Sequence, residues 1–407
     1  MHNLIKTFQQ HKDIAVVFGL FETGLGVIRA LGRQGVHVIG IDFKKDIAYF
    51  SRYGTKLICP HPLENRSMFL QWIQDTFGKA GRVFPVFITG DDFLKVISEE
   101  RKELKANFLI NLPPDQLIRD ISDKYSQYQL AVRAGIGVPF TWLIAEPADL
   151  DVLQKNNIWP LLLKGREVNS WRRLFGGSVK GFLIRDYHEL KEKTRTTLDH
   201  QIPVIVQEIV EGPDTNHFKY CAYVSGDGQI LAELCLRKIR QRPIHFGIGS
   251  VVESIHDPEL LETGRKFFRS INYCGTGSAE FKRDLKSGEL KLIELNCRYW
   301  QQNSLAEASG VNFPLIHYQD VSGEKPKPVL LHQAGIKWVN RYMDFESFLG
   351  YRREGTLDFC QWCRSLRGKK IYPDFTWDDP LPALYEIGFG LKLLRLPGYL
   401  IRKVSGK

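Results

Sequence analysis

The chain has 407 residues, of which 43% are hydrophobic and 25% are charged, with a formal net charge of +10 at pH 7. This length predicts two or three domains with a sizeable core, and the composition is ordinary for a soluble globular protein. The positive charge favours an anionic ligand, a nucleic acid or an acidic membrane surface. No dense Lys/Arg run and no aromatic–basic signature of a nucleic-acid module is present, so we expect no nucleic-acid partner.

Targeting and redox signals favour a cytoplasmic location. The seven cysteines are an odd number without framework spacing, which fits a reducing compartment. Cys360 and Cys363 form a C-x-x-C on a predicted helix, and we interpret them as half-buried structural residues rather than a zinc or redox site. Residues 1–12 lack the apolar segment of a signal peptide. No apolar run reaches the roughly 18 residues of a transmembrane helix, so we predict a cytoplasmic protein.

The N-terminal third is predicted to begin with a βαβ unit. Residues 14–18 form a short apolar strand, Gly19, Gly24 and Gly26 follow, and a helical pattern leads to a second strand that ends at Asp42. The glycine spacing, G-x-x-x-x-G-x-G, only approximates the dinucleotide-binding fingerprint. Two interpretations stay open: a nucleotide or substrate site, or a tight turn that needs its glycines.

The middle third carries a pattern suited to phosphate binding. Lys124 begins a helical stretch, and a strand over residues 159–163 ends at Lys164. A polar stretch then leads to the glycine loop Gly176-Gly177-Ser178-Val179-Lys180-Gly181 and a further strand. This order predicts a glycine loop between antiparallel strands, without the spacing of a Walker A loop. A plain hairpin loop and a loop that folds over phosphates both stay open, the second with Lys164 and Lys180 supplying charge.

Two later segments are candidates for ligand binding, the first for a nucleotide base and the second for an anion. A strand over residues 203–206 leads into residues 207–214, where a Gly-Pro turn presents backbone groups to a planar base and acidic side chains to a ribose. The connection predicted over residues 236–252 contains Lys238 and Arg240, which we expect near a phosphate. In the same connection, Arg242 and His245 are candidates for holding a substrate carboxylate. The alternative is a solvated basic loop.

The most informative segment is a predicted hairpin over residues 277–298. In a symmetric hairpin Glu280 lies directly opposite Glu294, and two facing carboxylates repel each other unless a cation lies between them. Asn296 and Arg298 share the face of Glu294, because side chains two apart on a strand lie on the same side. Two carboxylates and an amide oxygen suit Mg²⁺, and Arg298 suits a phosphate or carboxylate. The alternative is a polar, solvated hairpin face.

The last segments are less specific. Residues 300–304 (W-Q-Q-N-S) offer uncharged donors and acceptors that we expect to face a substrate. Residues 381–403 mix apolar residues with lysines and arginines. Such a tail either lies on an anionic membrane or packs against the body of the protein.

The succession of these segments resembles the ATP-grasp superfamily, which includes biotin carboxylase, carbamoyl phosphate synthetase and D-alanine–D-alanine ligase. The resemblance covers residues 112–320 and is most specific between Glu280 and Arg298. It implies an α/β and α+β fold, in which a Rossmann-like open α/β domain precedes an ATP-grasp fold and a C-terminal extension follows. The implied domains are residues 1–112, residues 113–322 with a small lid subdomain at about 125–212, and residues 323–407.

The resemblance also implies roles for the site residues. The implied metal ligands are Glu280, Glu294 and Asn296. The catalytic residues are Arg298, which would steady an acyl phosphate or carboxylate, and the phosphate candidates Lys238 and Arg240. The implied ATP contacts are Lys124, Lys164, Gly176, Gly177, Ser178, Lys180, Gln207, Glu208, Ile209, Val210, Glu211 and Asp214. Two departures from the pattern are a short glycine run and a Glu at position 208 where some members have Lys.

The activity implied by the resemblance is that of an ATP-dependent ligase. A substrate carboxylate is activated as an acyl phosphate, an amine displaces the phosphate, and ADP and phosphate are released. The implied cofactors are ATP and Mg²⁺, with Mn²⁺ as a substitute. The implied partners are a small carboxylate and a small amine, such as an amino acid or amino sugar, with a homodimer and peripheral membrane contact as further expectations. The alternatives are a nicotinamide-dependent oxidoreductase that uses the βαβ unit and a non-catalytic nucleotide-binding protein.

Overall fold

The structure, a computed structural model, describes residues 2–155, 158–176 and 179–394. The strands, in chain order, are β1 Ile14–Phe18, β2 His37–Asp42, β3 Thr55–Ile58, β4 Phe84–Ile88, β5 Phe108–Leu109, β6 Thr141–Ile144, β7 Leu161–Gly165, β8 Phe182–Ile184, β9 Val204–Glu208, β10 His217–Val224, β11 Ile230–Arg242, β12 Ile248–Ile255, β13 Gly275–Arg283, β14 Leu290–Asn296, β15 Lys337–Val339 and β16 Lys370–Ile371.

The α-helices connect these strands and make up most of the C-terminal part. They are α1 His2–Gln10, α2 Glu22–Gly32, α3 Arg66–Phe77, α4 Asp91–Glu99, α5 Arg101–Leu104, α6 Asp115–Ser122, α7 Lys124–Arg133, α8 Asp151–Gln154, α9 Val168–Phe175, α10 Tyr187–Asp199, α11 Pro258–Ser270, α12 Asn303–Ala308, α13 Phe313–Val321, α14 Arg341–Arg353, α15 Phe359–Ser365 and α16 Leu381–Leu394. Short 3₁₀ turns cover Ile47–Phe50, Pro147–Leu150 and Asp214–Asn216. None of the described helices is long and apolar enough to cross a membrane.

The chain forms two compact units. The first unit contains Met1–Ile110, Arg298–Lys327 and Gly335–Lys407, and the second contains Asn111–Cys297 and Pro328–Ala334. The division into three domains at residues 112 and 322 stays a prediction. The boundaries of the two units differ from the predicted domain boundaries, because residues 298–322 pack with the N-terminal segment rather than with the second unit.

The first unit contains a parallel five-stranded sheet in the order β3-β2-β1-β4-β5. The central strand β1 pairs with β2 on one side and β4 on the other, and all five of its residues are buried. An uninterrupted apolar run of this kind is typical of a parallel strand that is covered on both faces. The predicted βαβ unit, β1-α2-β2, is therefore confirmed.

The glycine turn after β1 is shorter than the sequence predicts. Only Gly19, with φ at +104°, lies in the turn, whereas Gly24 and Gly26 lie inside helix α2. A Cβ atom on Gly24 would lie 2.0 Å from the carbonyl oxygen of Gly19, and one on Gly26 would lie 2.1 Å from Oδ1 of Asn303. The helical glycines therefore permit close packing of the backbone and do not form a loop around a ligand.

The second unit contains two antiparallel sheets. A small sheet has the order β6-β9-β7-β8, and a larger one contains the run β14-β13-β10-β11-β12. The small sheet packs on a core that includes Leu161, Leu163, Trp171 and Val204, all nearly inaccessible to solvent.

Two predicted loops in this unit differ from the structure. Helix α9 lies between β7 and β8, so the glycine segment is not the loop of a simple hairpin. The basic connection predicted over residues 236–252 is mostly strand, because β11 runs to Arg242 and β12 begins at Ile248. The register of β11 against β12 is irregular between Lys238 and Gln241, so apolar and polar residues do not alternate regularly there. The strand was therefore not recognised from the sequence.

Candidate functional site

The predicted hairpin forms strands β13 and β14, and the predicted pairing of Glu280 with Glu294 is confirmed. Glu280 lies directly opposite Glu294, and Ser278 lies opposite Asn296. Nearer the turn the register shifts by one residue, so that Lys282 pairs with Lys291. A one-residue bulge therefore separates a row that contains both carboxylates from a row of cations.

Two lysines neutralise Glu280. The Nζ atom of Lys219 lies 3.0 Å from Oε1, and the Nζ atom of Lys238 lies 3.0 Å from Oε2. Burial alone would raise the pKa of the Glu280 carboxyl, but the two ammonium groups outweigh it and hold that pKa well below its usual value. Glu280 is therefore ionised at neutral pH. Lys238 lies on β11 rather than in a loop, and Arg240, two residues along the same strand, is 3% exposed.

Glu294 is held by the first residue of helix α7. Asp123 caps this helix by accepting a hydrogen bond from the backbone N–H of Ser126, and the cap directs Lys124 toward the hairpin. The Nζ atom of Lys124 lies 2.9 Å from Oε1 of Glu294. Burial opposes the charge on Lys124, yet the attraction of Glu294 raises its pKa above the ordinary value.

Lys164 has a different environment. It lies in β7, and its ammonium group donates a hydrogen bond of 3.0 Å to Oε1 of Gln207 on the neighbouring strand β9. Burial lowers the pKa of Lys164 to about 7, and repulsion from Lys124 adds to the shift while Glu294 opposes it. Lys180 has a lowered pKa as well, first through desolvation, with Glu294 and Glu280 opposing the shift. The lysines named from sequence thus lie within electrostatic reach of the hairpin carboxylates.

Several basic residues of the same sheet were missed by the sequence analysis. Strand β10 places His217 opposite Lys282 and Lys219 opposite Glu280. Burial lowers the pKa of His217 to about 3, with further repulsion from Lys238 and Lys282. The missed signal was the spacing of two residues, because side chains two apart on a strand lie on the same face. This spacing places Lys219 beside His217 on β10 and Lys282 beside Glu280 on β13. Lys291 could not be found in this way because the bulge breaks the period.

The segment predicted to frame a base runs out of strand β9. Glu208 accepts hydrogen bonds from the Lys291 ammonium group at 3.1 and 3.3 Å and from the Phe140 N–H at 3.0 Å. A lysine is therefore present beside this segment, but it comes from strand β14 rather than from position 208. Gln207 and Val210 are buried.

The acidic residues after this segment serve different partners. Glu211 is exposed and forms a 2.5 Å ion pair with Lys286 of the hairpin turn. The Asp214 carboxylate is 7% exposed and accepts a hydrogen bond of 2.9 Å from the backbone N–H of His245. The two carboxylates therefore have different environments, since Glu211 is open to solvent and Asp214 already accepts a backbone hydrogen bond. Ile209 lies between Glu208 and Val210 in the chain.

The glycine segment is only partly described. Gly176 follows helix α9 with φ at +80°, a conformation that favours glycine. Gly177 and Ser178 lie outside the described residues, so their predicted contacts with phosphates remain predictions.

Arg298 and residues 300–304 belong to the first unit and not to the second unit, which contains the hairpin. Arg298 belongs to the first unit, where its Nε atom lies 2.5 Å from Oδ1 of Asp91. Trp300 is buried, and the Asn303 side-chain amide donates to the carbonyl oxygens of Thr23 and Trp300. Gln301 donates to Glu22, a carboxyl whose pKa burial raises to about 7. The expectation that residues 300–304 face a substrate is wrong for Trp300 and Asn303, which hold the first unit together.

The hairpin carries oxygen-containing side chains that would fit a divalent cation. Glu280 and Glu294 offer opposed carboxylates, and Asn296 adds an amide oxygen one pair further along the ladder. The neighbouring Ser278 hydroxyl is fully buried and has no hydrogen-bond partner among the described residues. No described cluster of three or more His, Cys, Asp or Glu side chains suits a metal, so a third side-chain ligand at this hairpin would be the Asn296 amide. An all-oxygen donor set of this kind fits a hard cation such as Mg²⁺.

The chain is similar in sequence to a curated protein and in fold to several solved enzymes. No protein-family model matches the chain. The chain is 23% identical over 265 residues to the D-aspartate ligase of Enterococcus faecium, and the alignment covers 63% of this chain and 63% of that protein. The chain therefore spans less than two thirds of the length of this curated relative.

The fold is shared with several solved enzymes. N5-carboxyaminoimidazole synthetase from Staphylococcus aureus has a TM-score of 0.59 at 15% identity, over 78% of this chain and 79% of that chain. L-amino acid ligase from Bacillus licheniformis has a TM-score of 0.57 at 16% identity, over 76% and 74%. The biotin carboxylase domain of the Hydrogenobacter thermophilus 2-oxoglutarate carboxylase, solved with MgADP and bicarbonate, has a TM-score of 0.59 at 19% identity, over 78% and 72%.

The chain has the ATP-grasp fold. The α/β and α+β architecture and the resemblance predicted from the order of the motifs are both confirmed.

Proposed function

We propose that the protein is an ATP-dependent carboxylate–amine ligase that uses Mg²⁺. The observation that carries the proposal is the surplus of lysines around two facing carboxylates. Lys124, Lys219 and Lys238 lie about 3 Å from Glu294 and Glu280, and Lys164 lies nearby with a lowered pKa. Such a surplus of partly buried cations is stabilised by a bound polyphosphate. The ligase activities named for the relatives support the same class of reaction.

The residues divide into three groups by their proposed roles. Glu280, Glu294 and Asn296 would hold Mg²⁺, which supplies positive charge to the phosphate oxygens when bound. Lys124, Lys164 and Lys180 would contact phosphates, with the glycine segment beside them. The residues proposed around the base and ribose are Gln207, Glu208, Ile209, Val210, Glu211 and Asp214.

The chemistry required of the protein is mainly electrostatic. A substrate carboxylate attacks the γ-phosphorus of ATP, so that an acyl phosphate forms and ADP leaves. An amine then attacks the acyl carbon, an amide bond forms, and inorganic phosphate leaves. In the first step Lys238 is suited to stabilise the transferring phosphoryl group, because its ammonium group already faces an oxygen anion. Arg298 is the proposed partner of the acyl group, and Arg240 is proposed, like Lys238, to lie near the transferring phosphate.

The substrates are proposed to be a small carboxylate and a small amine. D-aspartate ligase and L-amino acid ligase, as they are named, act on amino acids. An amino acid is therefore the first carboxylate to test, and amino acids, peptides and amino sugars are the amines. Homodimer formation is a further expectation.

The proposal is tested by the change Glu294→Gln. We expect Mg²⁺-dependent release of ADP, measured with pooled amino acids and amines, to fall by at least about a hundredfold, because the metal loses a charged ligand. The exposed Glu289, in the turn of the same hairpin, gives the matched control Glu289→Gln, which should keep full activity.

Folding must be checked in the same proteins by circular dichroism and thermal melting. Full activity in a folded Glu294→Gln protein would contradict the metal assignment. Absence of ATP binding by the unmodified protein in calorimetry would contradict the proposed function itself.

A further inference from the structure

Helix α15 carries two cysteines on one side. Cys360 and Cys363 were expected to be half-buried, but the structure shows that both are exposed. They are three positions apart, and residues at this spacing lie on the same side of a helix. Neither sulfur atom has a hydrogen-bond partner among the described residues. The expectation that the pair serves a half-buried structural role is therefore wrong.

The rest of the helix holds the two thiols in a fixed relation. The Asp358 carboxylate accepts a hydrogen bond of 2.7 Å from the Gln361 N–H, and the Gln361 side chain accepts one of 2.9 Å from the Asp358 N–H. Trp362, between the cysteines, donates a hydrogen bond of 2.8 Å to Asp344 of helix α14. Its ring stacks on Phe348 with centroids 4.7 Å apart. The tryptophan therefore anchors α15 on α14, while the cysteines lie on an exposed side.

The spacing of the pair is close to that of a disulfide. The Cβ atoms of residues three apart on an α-helix are about 5–6 Å apart, and a disulfide needs about 3.5–4.5 Å. A tighter 3₁₀ turn brings such residues directly above one another. Helix α15 has seven residues and ends in such a turn, since the Leu366 N–H donates to the Cys363 carbonyl oxygen at 3.3 Å. This spacing is a property of α15 itself and does not depend on what lies over the helix.

The surroundings favour thiol chemistry over a metal site. A structural zinc site takes four ligands, and the described residues contain no cluster of three or more His, Cys, Asp or Glu that suits a metal. The other cysteines are Cys59, Cys221, Cys235 and Cys297, which are buried, and Cys274, which is partly buried. Burial raises the pKa of the Cys59 thiol to about 12, and structural thiols buried in this way are inert. The pair on α15 is therefore the part of the chain suited to react with a dissolved disulfide.

We propose that Cys360 and Cys363 form a reversible disulfide by exchange with a low-molecular-weight disulfide such as glutathione disulfide. The thiolate of one cysteine attacks a sulfur atom of the reagent, the S–S bond breaks, and a mixed disulfide and one glutathione thiolate form. The thiolate of the other cysteine then attacks the protein-bound sulfur atom of the mixed disulfide, and the second glutathione leaves. The two protein thiols are oxidised, glutathione disulfide is reduced, and the two thiol protons end on the two glutathione molecules.

The test uses the full chain and a single tryptic peptide. Residues 354–364 lie between two trypsin cleavage sites and contain both cysteines of the pair and no other. The folded protein is treated with glutathione disulfide at about pH 8, blocked with N-ethylmaleimide and digested. We expect the peptide to be lighter by two hydrogen atoms and unlabelled, and dithiothreitol should restore both thiols. In Cys363→Ser, glutathione should remain on Cys360, because no second thiol displaces it.

Cys274 gives the control, because it is partly buried and its thiol donates to the carbonyl oxygen of Leu112 at 3.2 Å. Cys274→Ser should form the disulfide to the same extent as the unmodified protein. Two maleimide groups on peptide 354–364 after the treatment would overturn the proposal. So would two glutathione groups on it, since the second exchange would then not take place. The proposal is independent of the ligase activity, because no residue of the lysine–glutamate site takes part.

Discussion

Burial of Lys164 lowers the pKa of its ammonium group, so that a bound anion would restore the charge. Its pKa is lowered to about 7, mainly by burial, so most of the free protein carries a neutral Lys164 at about pH 8. Because the unfolded residue has a pKa near 10.5, the unfolded state binds more protons between these values. The contribution of Lys164 to stability therefore rises with pH from about 7 to 10.5.

We predict that ATP binding at about pH 8 takes up close to one proton, because the phosphates restore the charge on Lys164. Calorimetry in two buffers of different ionisation enthalpy measures this uptake directly. In Lys164→Met the uptake should disappear, whereas Lys102→Met, a change at an exposed position, should retain it. Identical heats in both buffers for the unmodified protein would contradict the assignment.

At the scale of elements, glycines decide how closely helix α2 packs. The side chain of Asn303 that faces Gly26 is anchored by hydrogen bonds of 2.8 and 2.9 Å and cannot easily move aside. We predict that Gly26→Ala lowers the free energy of unfolding by about 1–3 kcal/mol through overpacking. Urea denaturation measures the change.

Gly388 of helix α16 is the control, since a Cβ atom there meets nothing within 4 Å. Gly388→Ala should be neutral or stabilise the protein by about 0.5–1 kcal/mol, because alanine favours a helix. Equal effects of the two changes would show that helix propensity rather than packing governs position 26.

The elements were largely predictable because their signals are local. The apolar run of β1, the alternation of β14 and the capped start of α7 each depend on a few neighbouring residues. Hairpin symmetry predicted that Glu280 faces Glu294, but the pairs nearer the turn are offset by one residue, so the prediction holds only because the bulge shifts the register. Lys291 was missed because the bulge sets its pairing. Lys219 was missed because its place opposite Glu280 depends on the pairing of β10 with β13, although its spacing of two from His217 is visible in the sequence.

At the scale of the whole molecule, the motif Trp377-Asp378-Asp379-Pro380 joins distant segments of the first unit. Asp379 is fully buried and accepts hydrogen bonds from Arg29 Nε at 2.9 Å, from the Ser51 hydroxyl at 2.7 Å and from the Arg52 N–H at 2.8 Å. Arg29 also donates to backbone carbonyls, including that of Pro373. The C-terminal segment is therefore bound to helix α2 through a buried ion pair.

We predict that Asp379→Asn lowers the free energy of unfolding by about 3–5 kcal/mol, because it leaves the Arg29 guanidinium buried without a counter-charge. Chemical denaturation, followed by tryptophan fluorescence, measures the loss. The neighbouring Asp378 pairs with Arg33 at a more exposed site, so Asp378→Asn should cost only about 1 kcal/mol or less. A loss for Asp379→Asn no larger than that for Asp378→Asn would contradict the structural role.

The Arg29–Asp379 ion pair can form only after the C-terminal segment has been synthesised. Arg29 and Asp379 are 350 residues apart, so a ribosome adding about 5–20 residues per second needs tens of seconds to produce the second partner after the first. During that interval Arg29 lacks its carboxylate partner, while all residues of the second unit are synthesised. We therefore expect the N-terminal segment to complete its packing only after the C-terminal segment has been made, although it leaves the ribosome first.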